Sequence, residues 1–245
     1  MPIARSNDYQ MRRAGETLPF NNTFGKVQHS YKVVPWTYSA DGLLHSGDSV
    51  LIRNKKVDGH LAADLGVKQV NIEESYRLNT SKTCQGPVTR NVFQIMRYEA
   101  ADIFGTDSVI RFGQKVKIQA NAHLYKKTLA VGSTPKSMNI VSSVSRLQEA
   151  SLHACDSFNT VWVIDSFDPN DRYERQGEPV RAGEPILLRH CHTQQYLASD
   201  CVVEKNDFGT EFEVSTNSFA CLNKTQNLYL EKNGNITTDV PTRFQ

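Results

Sequence analysis

This sequence predicts an all-β body built from three related units, on three observations. Segments starting at His45 ("HSGDSVLIRNKKVDGHLAADL"), Arg111 ("RFGQKVKIQANAHLYKKTLAVG") and Arg181 ("RAGEPILLRHCHTQQYLASD") align with one another. In each, a glycine precedes two alternating apolar positions: Val50 and Ile52, Val116 and Ile118, Ile186 and Leu188. Each then crosses a polar stretch to a Leu-Ala pair, 14, 16 and 14 residues beyond its glycine (61−47, 129−113, 197−183). A unit of this kind cannot cover its own apolar face, so units that recur share one core. The glycines are 66 and 70 residues apart (113−47, 183−113), and this threefold recurrence predicts a β-trefoil.

Each element has its own reason. Gly47, Gly113 and Gly183 supply a turn conformation that a Cβ would penalise. The alternation then lays one strand face on a core. The pairs Leu61-Ala62, Leu129-Ala130 and Leu197-Ala198 open a second strand, so each unit begins as a hairpin with a polar loop. A further strand precedes the next unit, at Asn91–Tyr98 ("NVFQIMRY") and Thr160–Phe167 ("TVWVIDSF"), and Thr210–Thr216 ("TEFEVST") is expected to close the third. In these, Phe93 and Ile95, Trp162 and Ile164, and Phe212 and Val214 alternate with more polar neighbours.

Two stretches, Glu73–Val88 and Pro135–Asn159, exceed the usual connection length and are expected to be inserted loops. The second carries "SSVSRLQEA", expected as a short helix. The trefoil is expected over residues 41–230, with an extended arm over 1–40 and a tail over 231–245. The arm sets Arg5, Arg12, Arg13, Lys26 and Lys32 against Asp8 and Glu16, with isolated aromatics and no periodicity. Such a segment is either disordered or ordered on a partner. In the tail, Asn233-Gly234 is a hairpin-turn signal.

The bulk properties exclude several classes. A net charge of +2, from 28 Lys and Arg against 26 Asp and Glu, is too mild for a nucleic-acid binder. No apolar run approaches the roughly 20 residues that span a bilayer, so neither nucleic acid nor membrane is an expected partner. The N-terminus has no apolar core of a secretory signal. The five cysteines have no CxxC spacing and read as reduced, cytosolic thiols.

The chemical motifs are weak. His190, Cys191 and His192 suggest a metal or a nucleophile, yet on a strand the histidines face one side and the cysteine the other. Two histidines need further ligands from elsewhere, and Cys191 has no identifiable orienting group. A polar turn shaped by the histidines is the expectation. Asp165, Asp168 and Asp171 lack the EF-hand order and its glycine, and "DPND" reads as turn chemistry. No phosphate loop, GxSxG elbow or HExxH helix occurs. No catalytic, metal or cofactor residue is therefore assigned, and a non-enzyme is expected.

Gly183, Ile186, Leu188, His190, Thr193, Tyr196 and Leu197 together resemble a MIR-type β-trefoil repeat. The ordered set "GLLHSGDSVLI", "GPVTRNVFQI", "IRFGQKVKI" and "NTVWVIDSFDPNDRYERQGEPVRAGEPILLRHCHTQQYLASD" resembles the cilia- and flagella-associated protein 161 family. The match runs from about Asp41 to Phe212 and is densest at Asn159–Asp200; the arm and Thr134–Glu149 fall outside it. This resemblance implies a non-enzymatic microtubule inner protein in the A-tubule lumen of axonemal doublets, near the seam. It implies binding to tubulin and to neighbouring inner proteins, stabilising the cilium for motility, and a place in the cytoskeleton of the axoneme. It transfers no functional residues. The competing expectation is a lectin-like module for a glycan or small polar ligand, with Trp36, Trp162 or Tyr196 stacking on a sugar.

Overall fold

The structure, a computed structural model, describes residues 27–218 apart from 70–71, 73, 85, 100–106, 136–139 and 155, together with the backbone of Leu228–Glu231. The alternating segments are strands. In chain order they are β1 (Asp48–Asn54), β2 (Gly59–Lys68), β3 (Ser75–Ser81), β4 (Val92–Arg97), β5 (Lys115–Ala120) and β6 (Ala130–Gly132). Then come β7 (Gln148–Glu149), β8 (Ser151–His153), β9 (Val161–Ser166), β10 (Pro185–His190), β11 (Tyr196–Asn206), β12 (Gly209–Asn217) and β13 (Leu228–Glu231).

Antiparallel pairings join β1 to β4, β4 to β5, β5 to β9, β9 to β10, β10 to β13 and β13 back to β1, which closes a ring. A longer closed path through β2, β3, β8 and β6 makes a nine-strand barrel. Closure leaves the barrel no edge along these strands. Its interior holds the alternating positions read from the sequence: Val50, Ile52, Phe93, Ile95, Val116, Ile118, Trp162, Ile164 and Ile186 are all wholly buried. Each such side chain contributes about 1.5–3 kcal/mol. Trp162 also donates its indole N–H to the Val131 carbonyl at 2.7 Å, so its one polar atom costs nothing.

The three glycines build one turn three times. Gly47, Gly113 and Gly183 have φ of 96°, 84° and 78°, the left-handed region. The residue after each glycine bonds back to the third residue before it: Asp48 N to His45 O, Gln114 N to Arg111 O, Glu184 N to Arg181 O. The side chain of that same residue returns the bond. Asp48 Oδ2 accepts from His45 N (2.5 Å), Gln114 Oε1 from Arg111 N (2.9 Å) and Glu184 Oε2 from Arg181 N (3.2 Å). One residue ahead of each turn, the backbones of Leu44, Ile110 and Val180 bond in a closed cycle. Leu44 N donates to Val180 O (2.9 Å), Val180 N to Ile110 O (2.9 Å) and Ile110 N to Leu44 O (2.8 Å).

Four expectations need correction. Thr210–Thr216 does not close the third unit's share of the ring: β12 is the hairpin partner of β11, and the closing strand is β13. Within β12 Val214 faces the core as expected, but Phe212 is only part-buried, and Glu211 and Glu213 on the opposite face are buried as well. The stretches Glu73–Val88 and Pro135–Asn159 are not wholly loop: β3 lies in the first and pairs with β2, β8 and β12, and β7 and β8 lie in the second. "SSVSRLQEA" forms no helix; it makes a turn running into β7, which pairs with β12.

The arm expected over 1–40 is described from residue 27, and from there it is seated on the body. Lys32 O accepts from Thr89 N, Val34 N donates to Pro87 O and Thr37 N to Ser49 O. Val34 shares a small apolar cluster with Leu51, Val92 and Trp36. Residues 1–26 and the tail after Glu231, with Asn233-Gly234, lie outside the described residues.

The turn makes a direct prediction. A Cβ on Gly183 meets no atom within 4 Å, so Gly183→Ala carries only the cost of the left-handed backbone, about 1–2 kcal/mol. Urea denaturation of the variant measures it; an unchanged midpoint refutes the conformational role of the glycine.

Candidate functional site

The His-Cys-His stretch sits where β10 ends. His190 is wholly buried against Trp162, ring centroids 4.8 Å apart. Its Nε2 donates to the Asn159 carbonyl (2.9 Å), which leaves Nδ1 to accept from Thr193 N (3.2 Å). His192 Nδ1 meets Asn159 Oδ1 at 2.9 Å. One asparagine thus takes both histidines, and the pair shapes the turn. Burial depresses the His190 pKa to about 4, and burial raises that of Cys191, away from nucleophile chemistry. Among the described residues no group of three or more His, Cys, Asp or Glu is placed to hold a metal ion.

A second cluster, absent from the sequence reading, joins Glu149, Ser151 and His153. Ser151 Oγ lies 3.1 Å from His153 Nε2, and Glu149 Oε1 lies 3.3 Å from the same nitrogen. A hydrolytic triad needs the acid on the other ring nitrogen, to orient the base while the first faces the nucleophile. Ser151 also donates to Glu149 itself, and all three side chains are buried. Thr134 N and Ser75 Oγ complete the network. Its work is to satisfy polar groups between β3, β7 and β8.

The acidic run is divided in the same way. Asp165 is buried and pairs with Arg189 at 2.6 Å. Asp168 accepts the Asn170 N–H at 2.9 Å, as an Asx turn does. Arg172 and Arg175 turn inward over the rings of Tyr196 and Phe112, and Tyr173 between them is 84% exposed. Of the aromatics expected to stack on a sugar, Trp162 is sealed in the barrel, Trp36 packs on the Val34 cluster and Tyr196 holds Arg172.

The strongest electrostatic feature is the Arg90–Glu211 pair, both side chains fully buried. Two parallel hydrogen bonds of 2.8 and 2.9 Å join them. Arg90 also donates Nε to Ala63 O, and its guanidinium lies 3.6 Å from the Phe208 ring centroid. Glu211 takes further bonds from Asn79 and Asn206. Burial is the largest single effect and opposes both charges, yet the mutual hydrogen bonds and charge attraction together outweigh it: Arg90 is held above its ordinary pKa and Glu211 below. No periodicity flagged Arg90. The signal available was the Glu-Phe-Glu of β12, whose acids alternate onto the buried side.

Two outcomes follow from these groups. Arg90→Ala strands a buried carboxylate and is expected to cost about 3–5 kcal/mol, whereas Arg90→Met with Glu211→Leu recovers most of it. Denaturant midpoints of the single and double variants decide this; equal losses in both refute the pairing argument. His190 has the opposite sign of a stabilising ion pair. Its folded pKa lies below the ordinary 6.5, so the folded state excludes a proton that the unfolded chain accepts. Its contribution is complete above pH 6.5 and is lost as pH falls toward 4, on the order of 3 kcal/mol. His190→Gln is expected to flatten that slope in thermal melts between pH 7 and 4.5.

Comparison with known proteins places this architecture. A family model described as a cilia- and flagella-associated protein 161-like domain matches residues 44–231. Cilia- and flagella-associated protein 161 of Danio rerio is 29% identical over 216 residues, 81% of this chain and 70% of that protein. The Bos taurus protein of the same name is 29% identical over 197 residues, 74% of this chain and 60% of that protein. Among solved structures, the SDF2-like protein from Arabidopsis thaliana covers 78% of this chain and 99% of its own, with a TM-score of 0.57 at 14% identity, a likeness of fold. With the family model spanning the closed barrel from Leu44, a member of the bonded cycle, to the end of β13, the chain belongs to the cilia- and flagella-associated protein 161-like family.

Proposed function

We propose that this chain is a β-trefoil of MIR-like units over residues 41–230 and serves as a non-enzymatic structural component of the ciliary axoneme. In this reading it lies in the A-tubule lumen of doublet microtubules near the seam. It binds tubulin and neighbouring inner proteins there and stabilises the cilium for motility. The observation that carries the reading is family membership across the whole barrel. The threefold set of glycine turns and the cyclic backbone bonds support the trefoil, as does the fold likeness to the SDF2-like protein.

The chemistry of the body supports a structural role. The buried His153, His190, Ser151, Glu149, Glu211 and Glu213 are held in hydrogen bonds with neighbouring groups, and a closed barrel suits a part that must hold spacing. Weak contacts suffice on a lattice, because repetition and several partners add avidity. With the arm seated on the body from Lys32 on, the part of it ahead of residue 27 then serves as the anchor on the partner.

Stepwise extraction of purified axonemes tests this, first with high salt and then with denaturing detergent. The protein is expected to stay with the doublets until tubulin itself is released. Quantitative release by salt, or recovery in the soluble matrix, overturns the luminal assignment. A saturable sugar titration that perturbs tryptophan fluorescence would replace it with the glycan-binding reading.

A further inference from the structure

The connection between β6 and β7 presents a small, rigid tip. Its base is the Val141–Gln148 bridge and the bond from Ser142 N to Leu147 O, 2.9 Å. Two buried carboxylates of the β11–β12 hairpin hold it from below. Glu213 accepts from Val144 N (2.7 Å), Ser145 N (2.9 Å) and Ser143 Oγ (3.2 Å), and Glu204 accepts from Ser143 Oγ (2.6 Å). Charge-assisted bonds of this kind fix the loop in one shape.

What the tip turns outward has the opposite character. Val144 is 50% and Leu147 37% exposed, with the exposed Arg146 between them in sequence. Arg146 has φ of 59°, a conformation that glycine or asparagine takes at little cost and that an arginine takes at about 1–2 kcal/mol. Among the described residues no carboxylate pairs with it. Strain at a non-glycine residue that displays a cation beside exposed apolar side chains is the pattern of a recognition site. Arginine is among the residues that most often dominate binding energy at interfaces, and a loop already fixed loses little entropy on docking.

We propose that the 143–147 loop is a docking tip for an acidic protein surface, Arg146 meeting carboxylates while Val144 and Leu147 bury themselves between the partners. The carboxylates that bond the loop lie buried beneath it, so among the described residues Arg146 keeps its charge without an ion-pair partner. Complementarity therefore selects an acidic partner. The inference rests on the axonemal reading and assigns one of its contacts.

The test uses the full chain in ciliated cells lacking their own copy. Three variants are compared with the unmodified protein: Arg146→Glu, Arg146→Gly and the pair Val144→Ser with Leu147→Ser. Arg146→Gly keeps the left-handed backbone and removes only the cation. Arg146→Glu and the serine pair are expected to reduce retention on salt-washed axonemes about fivefold. Arg146→Gly loses retention at an equal or higher melting temperature. A photo-crosslinker at position 147 is expected to capture a peptide rich in Asp and Glu. Full retention by Arg146→Glu and by the serine pair, or capture of a basic peptide, overturns the docking tip while the axonemal reading stands. Absence of the unmodified chain from axonemes overturns that reading itself.

Discussion

Everything in this molecule hangs on closure of the barrel, and closure depends on a ring of three backbone hydrogen bonds. Leu44, Ile110 and Val180 each donate to one of the others and accept from the third. All three are buried, so each bond stands in for water that cannot reach it. A cycle of this kind cannot be satisfied two-thirds of the way. If one segment slips by a residue, two polar groups are orphaned and the glycine turn beside it loses its register. The cycle therefore couples segments far apart in the chain, and the strands that follow each turn inherit their positions from it.

Outside the apolar barrel, specificity comes from buried polar groups. The outer faces of β3, β8 and β12 are lined by Ser75, Asn79, Ser151, Glu211 and Glu213, all buried. They are covered by the arm, by the segment before β4 and by the connection ahead of β7. Arg90 joins that segment to β2 through Ala63 and to β12 through Glu211. A buried ion pair gives little net stability, but it penalises every arrangement in which one partner is missing. The coverings are thus held by interactions that tolerate no substitute, while the barrel is held by area.

The difference explains what was legible. Gly47, Gly113 and Gly183 and the apolar pairs after them are local signals, readable because φ and side-chain direction are decided within a few residues. Strand β3 was not readable, because in "SYRLNTS" the core pair Tyr76 and Leu78 is outnumbered by buried polar groups whose partners lie elsewhere. Ser75 meets Ser151, and Asn79 meets Glu211, 132 residues away. Phe212 misled for the same reason: hydrophobicity marked its side of β12 as the buried one, yet the carboxylates on either side are buried on the opposite face, where Arg90 and the 143–145 backbone meet them. Strand β13 is four residues long, too short for periodicity to speak. In the candidate site, "HCH" drew notice for its residue types, whereas Asn159, the residue that organises both histidines, is an ordinary loop residue in sequence.

These observations also constrain how such a protein can meet a partner. The six strands of the ring pair with one another on both sides, so a partner is better met by the loops that the closure leaves outside. Loops that are merely flexible would lose entropy on every contact they make. Here the protruding segments are pinned instead: Glu213 and Glu204 hold the 143–147 loop, and Arg172 and Arg175 hold the turn that raises Tyr173. Charged groups turned inward, Glu204 and Glu213 buried and Arg172 and Arg175 part-buried, fix the segments that carry exposed side chains. Rigid projections from a rigid barrel are what a part needs if its task is to keep distances fixed.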